Sequence, residues 1–189
     1  MFKVFYPDED AASAYDISFE KLYKNGIRGV IFDIDNTLVP HDAPADERAK
    51  KLFLRLHELG METCLLSNNK EPRVATFARA AGGSRYIYNG NKPGRKGYQR
   101  AMKLMGTDAK HTVFVGDQLF TDVYGAKRAG IRSILVKPIH PKEEIQIVLK
   151  RYLEAVVLYF YRRDKKRKKS EQHTGKIKFL AGKRQPGRL

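Results

Sequence analysis

A single cysteine, Cys64, occurs among 189 residues, so a monomer holds no disulfide and a reducing compartment is expected. It sits in the apolar run Glu62-Thr63-Cys64-Leu65-Leu66, where a small core side chain is the simpler reading than a nucleophile. Long hydrophobic runs are also missing. No stretch reaches the ~18 apolar residues that a membrane span requires, and a soluble or peripheral protein is expected. The opening Met-Phe-Lys-Val-Phe-Tyr-Pro-Asp-Glu-Asp turns acidic before any apolar segment forms, so no secretion signal is expected. The five histidines show no ligand spacing, and His57 falls on the polar side of its helical pattern. Acidic residues are the minority, 21 Asp+Glu against 37 Lys+Arg, for a formal net charge of +16. No repeat or low-complexity block interrupts residues 1–161, and the length suits one domain with a substantial core plus a tail.

What is present alternates. Apolar runs predict strands at 28–33, 61–66, 85–88, 112–116 and 132–136, with helices at 45–59, 71–81, 95–105, 121–129 and 142–163. Such alternation implies a parallel sheet with helices on both faces. Ala49, Leu52, Phe53, Leu56 and Leu59 keep helical spacing, and Gly60 stands where a left-handed cap belongs. Val74, Phe77, Ala78 and Ala81 repeat that spacing, with Pro72 in the first turn. These stripes are core.

Chemistry is concentrated where the apolar runs end. Gly29-Val30-Ile31-Phe32 closes on Asp33-Ile34-Asp35-Asn36-Thr37, and residues i and i+2 at a strand end point the same way. Two carboxylates so close repel unless a cation lies between them or one keeps a proton, and either arrangement suits catalysis. Taken alone, the segment could equally be a turn rich in Asp, Asn and Thr. Three more segments bear on that choice. Ser67-Asn68-Asn69 puts a hydroxyl at a strand-to-helix junction, Asn91-Lys92-Pro93-Gly94 puts a lysine in a loop ahead of a helix, and Thr112-Val113-Phe114-Val115 closes on Gly116-Asp117-Gln118-Leu119-Phe120-Thr121-Asp122.

In that order the four segments resemble the motifs of the haloacid dehalogenase (HAD) superfamily: Asp-x-Asp-x-Thr, Ser/Thr, Lys, and Gly-Asp followed by a second Asp. The match runs from residue 28 to about residue 137. Within the superfamily the chain looks like the YqeG-like phosphatases of subfamily IIIA over residues 1 to about 140. The likeness is carried by Phe5-Tyr6-Pro7-Asp8-Glu9, Ser18-Phe19-Glu20-Lys21-Leu22, Asp33-Ile34-Asp35-Asn36-Thr37-Leu38-Val39, Ser67-Asn68-Asn69, Lys92-Pro93 and Gly116-Asp117-Gln118-Leu119.

The resemblance implies a three-layer Rossmann-like α/β core whose parallel five-stranded sheet has the order 5-4-1-2-3. Ligands bind such sheets at the carboxyl ends of the strands where the order reverses, which brings Asp33, Asp35 and Asp117 together. There a Mg²⁺ ion would be held by Asp33, Asp117 and the backbone carbonyl of Asp35. Asp33 would be the nucleophile and form an aspartyl-phosphate. Asp35, kept protonated by its neighbours, would protonate the leaving oxygen and then activate water. Lys92 would neutralise the transferring phosphoryl, with Lys96 as the rival lysine, while Ser67 Oγ and the helix-start amides at Asn68 bind its oxygens. Asp122 would orient Lys92 or a metal water, or simply cap the following helix, and Thr37 would support the site from behind. Only 33 residues separate Asp33 from Ser67, and 24 separate Ser67 from Lys92. Each interval already contains a strand and a helix, so no cap domain fits, and the site should be open to a large substrate or covered by another subunit.

The expected organisation is a core with an N-terminal extension at 1–141, an amphipathic helix at 142–161 and a basic tail at 162–189. That tail holds 12 Lys+Arg and 2 Asp+Glu, net +10. Its first basic run, Arg162 to Lys169, directly follows Ala155-Val156-Val157-Leu158-Tyr159-Phe160-Tyr161, which is apolar on every helical face. Residues 155–169 therefore read as an anchor to an anionic membrane surface, as a nucleic-acid-binding tail, or as a solvated tail. The YqeG group is similar to the eukaryotic phosphatases that convert phosphatidylglycerophosphate to phosphatidylglycerol. The expected function is a Mg²⁺-dependent phosphomonoester hydrolase acting on such a lipid headgroup, cytoplasmic or peripheral at the inner membrane face. The alternatives are a phosphatase for phosphoproteins or soluble phosphate esters, and an RNA- or ribosome-associated binding protein on the same fold.

Overall fold

Gly29–Phe32 is buried at all four positions, the mark of a strand covered on both faces at the middle of a parallel sheet. The computed structural model describes residues 2–140 and 152–167. Its strands are β1 (Glu9–Ala11), β2 (Gly29–Phe32), β3 (Glu62–Leu66), β4 (Arg85–Ile87), β5 (Thr112–Gly116) and β6 (Arg132–Val136). All neighbours pair parallel, in the order β1-β6-β5-β2-β3-β4. The inner five strands follow the expected order. The expectation of five needs correcting by one, because Glu9–Ala11 adds an edge strand in register with Ile134–Val136. Three residues are too few for a readable alternation.

Helices α1 (Phe19–Lys24), α2 (Glu47–Glu58), α3 (Glu71–Ala80), α4 (Arg95–Met105) and α5 (Tyr124–Arg128) cover the two faces. Asp46 caps α2 by accepting from Ala49 N at 2.8 Å, and Ala49, Leu52, Phe53 and Leu56 turn inward as their spacing requires. Because strand residues alternate, Val30 and Phe32 pack with Phe19 and Phe53 on one side of the sheet. Ile31 packs with Cys64, Tyr98 and Phe114 on the other. Burial pushes the Cys64 thiol up to about 12, as befits a core residue. The expected helix at 121–129 opens instead as a wider π-turn, Leu119–Val123, before α5 begins.

Residues 152–167 form a further helix, α6. Val157 is buried, Phe160 stacks on Phe2 at 5.8 Å and Tyr161 meets Tyr6 edge-on at 5.3 Å. The helix does not stop at 161. Arg162–Arg167 continue it, Asp164 accepts from the Tyr6 hydroxyl at 3.2 Å, and Lys165 pairs with Asp10, so this stretch is packed helix rather than the start of a tail. The all-round apolarity of the segment resolves into two faces. Val157, Leu158, Phe160 and Tyr161 dock inward, while Tyr152, Leu153, Val156 and Tyr159 are exposed. The expected 142–151 half of this helix and the 168–189 part of the tail lie outside the described residues. Among the described residues no helix is long and apolar enough to cross a membrane.

Candidate functional site

β2 and β5 are sheet neighbours with Phe32 beside Val115, and Asp33 N extends the ladder by donating to Val115 O at 2.9 Å. Asp33 and Asp117 therefore leave the sheet side by side, at the carboxyl ends, where the chain turns to opposite flanks of the sheet. Beyond Asp33 the backbone folds back sharply. Asn36 takes a left-handed φ of 61°, and the amides of Thr37 and Leu38 both donate to Ile34 O. That turn aims Thr37 Oγ1 at Asp117 Oδ1, 3.2 Å away. Asp33, Thr37, Ser67, Lys92, Asp117 and Asp122 are all buried.

Lys92 ties the cluster together. Its Nζ donates to Asp33 Oδ1 at 2.6 Å and to Asp122 Oδ1 at 2.8 Å. Lys96 is exposed on α4 and belongs to no part of this network. Burial pushes the Asp33 carboxyl up to about 7, with the Lys92 ammonium pulling the other way. Burial disfavours charge on Lys92 too, but the Asp122 and Asp33 carboxylates outweigh it and keep the ammonium protonated. Asp122 also accepts from Asp117 N and Gln118 N, both at 3.1 Å through Oδ2. Its carboxylate thus braces the Asp117 loop and orients Lys92 at once.

That bracing depends on Gly116. A Cβ there would come within 2.7 Å of both Cβ and Cγ of Asp122, so Gly116→Ala should displace the Asp122 carboxylate and cut turnover at least tenfold while leaving the sheet formed. Steady-state kinetics and circular dichroism of the variant check this expectation, and native turnover in Gly116→Ala would contradict it.

Ser67 is buried at the end of β3, and its Oγ accepts from Asn69 N at 3.1 Å. The Asn68 side-chain amide is committed to the Lys92 backbone, accepting from Lys92 N at 2.7 Å and donating to Lys92 O at 3.2 Å, so it positions the lysine, and only its main-chain amide is left for the phosphate-binding part expected of it. The Asp35 side chain is held in place by three neighbouring groups. Asn69 Nδ2 reaches Oδ2 at 2.7 Å, while Arg73 and Asp42 N reach Oδ1 at 3.0 and 2.9 Å. The sequence reading missed Asn69 and Arg73. Arg73 also lies 3.8 Å from Asp42, and its buried Nε has no hydrogen-bond partner among the described residues.

Asp33, Asp117 and Asp122 bring ligand oxygens within 4.8 Å of one another in a buried pocket. Lys92 pairs with two of the three, and a set of carboxylate oxygens this close together suits a hard divalent cation. Asp122 has both oxygens engaged by donors, so Asp33 and Asp117 are the better placed ligands. A second acidic group, Asp35, His41 and Asp42, is partly exposed and already paired with Arg73. It suits a cation less well.

Several known proteins are similar to this chain. A family model described as HAD-hydrolase-like matches residues 90–144. Over 157 residues the chain is 37% identical to the probable phosphatase YqeG of Bacillus subtilis, covering 82% of this chain and 91% of that one. Over 158 residues it is 29% identical to phosphatidylglycerophosphate phosphatase 1, chloroplastic/mitochondrial, of Arabidopsis thaliana, covering 75% of this chain and 44% of that one. Among solved structures, the cobalt-bound deoxy-D-mannose-octulosonate 8-phosphate phosphatase of Haemophilus influenzae shares the fold with a TM-score of 0.50 at 20% identity, over 61% of this chain and 70% of that one.

Proposed function

The chain belongs to the haloacid dehalogenase superfamily, among its YqeG-like phosphatases, and from that premise we propose a Mg²⁺-dependent phosphomonoester hydrolase that works through an aspartyl-phosphate on Asp33. One observation carries the proposal. A buried lysine bridges the carboxylate at the end of β2 to the one that braces the Asp117 loop, and a fixed positive charge beside Asp33 supports phosphoryl chemistry there. A phosphate dianion resists attack by an anion, and Lys92 lowers that barrier by facing both partners. Asp33 attacks phosphorus and the ester oxygen departs with a proton from Asp35. Asp35 then takes a proton from the water that opens the acyl phosphate and returns Asp33 to its free form. Asn69 and Arg73 fix the direction in which Asp35 points. Ser67 Oγ, in the turn before α3, would donate to a phosphate oxygen. Mg²⁺, held by Asp33, Asp117 and the Asp35 main-chain carbonyl, would supply positive charge to the phosphate oxygens.

The substrate we propose is a phosphorylated lipid headgroup such as phosphatidylglycerophosphate. Two observations support this choice. Similarity to the Arabidopsis enzyme spans 75% of the chain. The exposed stripe Tyr152, Leu153, Val156 and Tyr159 stands beside the basic residues Arg162, Arg163, Lys165, Lys166 and Arg167 on one helix, an arrangement suited to an anionic membrane surface. A phosphate-release screen that includes phosphatidylglycerophosphate in mixed micelles tests the whole reading. Turnover should vanish in EDTA and return with Mg²⁺, and the lipid should outperform phosphopeptides and sugar phosphates. Full activity in chelator would overturn the metal assignment, and preference for a small soluble ester would overturn the lipid.

A further inference from the structure

A groove of about 540 Å³ runs from Asp117 along the carboxyl ends of β6 and β1, with α6 as its outer wall. Leu119 and Val136 form its floor, and Ala155 and Leu158 face them from the helix. Its inner end is therefore a candidate metal ligand of the reaction site and its lining is largely apolar. The outer rim carries Arg162 and Lys166. Among the described lining residues the one other acid besides Asp117 and Glu154 is Asp10, which is already taken up by Lys165 and by the Tyr161 hydroxyl at 2.8 Å.

The helix is held in place by specific contacts. Glu154 is 4% exposed, and its Oε1 accepts from Leu119 N at 2.9 Å, two residues beyond Asp117. A buried carboxylate on a main-chain amide is a strong, directional contact. It fixes α6 to the very loop that presents Asp117. Among the described residues, this helix lines the flank of the site beside Asp117.

We propose that the groove is the leaving-group subsite and takes amphiphilic phosphomonoesters, with the apolar chain lying between Val136 and Ala155 and Arg162 and Lys166 adding positive charge at the rim. The assignment rests on the phosphatase reading above and adds a place for the part of the substrate that does not react. Continuity with Asp117, an apolar floor and a cationic rim all match that one chemistry. α6 then does two jobs, its inner face shaping the groove and its outer stripe remaining exposed.

The test is calorimetric binding of a series of n-alkyl phosphates, butyl to octyl and below their micelle concentrations, to the full chain carrying Asp33→Asn, so that binding is read without turnover. The dissociation constant should fall by up to about fourfold for each methylene buried, the value expected for apolar transfer. Ala155→Trp on the same background, which fills the groove, should flatten that dependence. A dissociation constant independent of chain length overturns the proposal, as it would if the groove were filled by residues 141–151 or by the tail. An Ala155→Trp series as steep as the parent also overturns it. Phenyl phosphate turnover by the native chain reports separately on the phosphatase reading, because that ester has no chain to place in the groove.

Discussion

Asp33→Asn should release no phosphate from any ester, because an amide is a poor nucleophile at phosphorus, while the fold persists with Lys92 still paired to Asp122. Retention of more than a few per cent of activity would remove Asp33 from the nucleophile's role. The same variant has a signature in stability. Burial holds the Asp33 carboxyl near 7 in the folded chain, against an ordinary value of 3.8. Between these values the folded protein keeps a proton that the unfolded chain has released. Stability contributed by this group is thus intact near pH 4 and lost as pH rises toward about 7 in the metal-free protein. Asp33→Asn cannot titrate there, so its unfolding free energy relative to the native chain should climb over that interval. Parallel pH profiles for the two proteins, measured by denaturant unfolding in EDTA, would contradict the assignment.

Lys92→Met should be costly in both activity and stability. The side chain is 4% exposed and its ammonium faces two buried carboxylates. Methionine keeps the volume but leaves Asp33 and Asp122 without a cation, a loss worth ~3–5 kcal/mol for a broken buried pair. In EDTA the variant should unfold at much lower denaturant than the native chain. Turnover should fall by on the order of 10²–10³, as when one electrostatic donor is taken from a transition state. Near-native stability would show that the carboxylates are satisfied without the lysine, and near-native turnover would show that the phosphoryl is neutralised by another group.

How much of this was readable beforehand follows from the kind of interaction involved. β2 and β5 are covered on both faces, so they appear as unbroken apolar runs, and the carboxylates that end them stand out. Lys92 is marked by its loop of Asn, Pro and Gly. β1 carries no comparable mark, since three residues at a sheet edge are stabilised by pairing to β6 more than by their own pattern. The side chain of Asn68 answers to a backbone 24 residues away, which no local periodicity records. Arg73 looks like an ordinary charge in the first turns of α3, and only the return of the chain after Asp33 brings Asp35 against it. Glu154, in a helix of mixed apolar residues, reads as a solvated charge until Leu119 N is found beneath it.

The central claim is that Asp33 carries the phosphoryl group between the two half-reactions. Acid quenching during steady-state turnover, followed by mass spectrometry of the peptides, measures this directly, because an acyl phosphate survives at low pH long enough to be located. The account predicts a phosphoryl group on the peptide containing Asp33, dependent on Mg²⁺ and absent from Asp33→Asn. Phosphate release at the native rate with that peptide unmodified, or with the label on another residue, would contradict it.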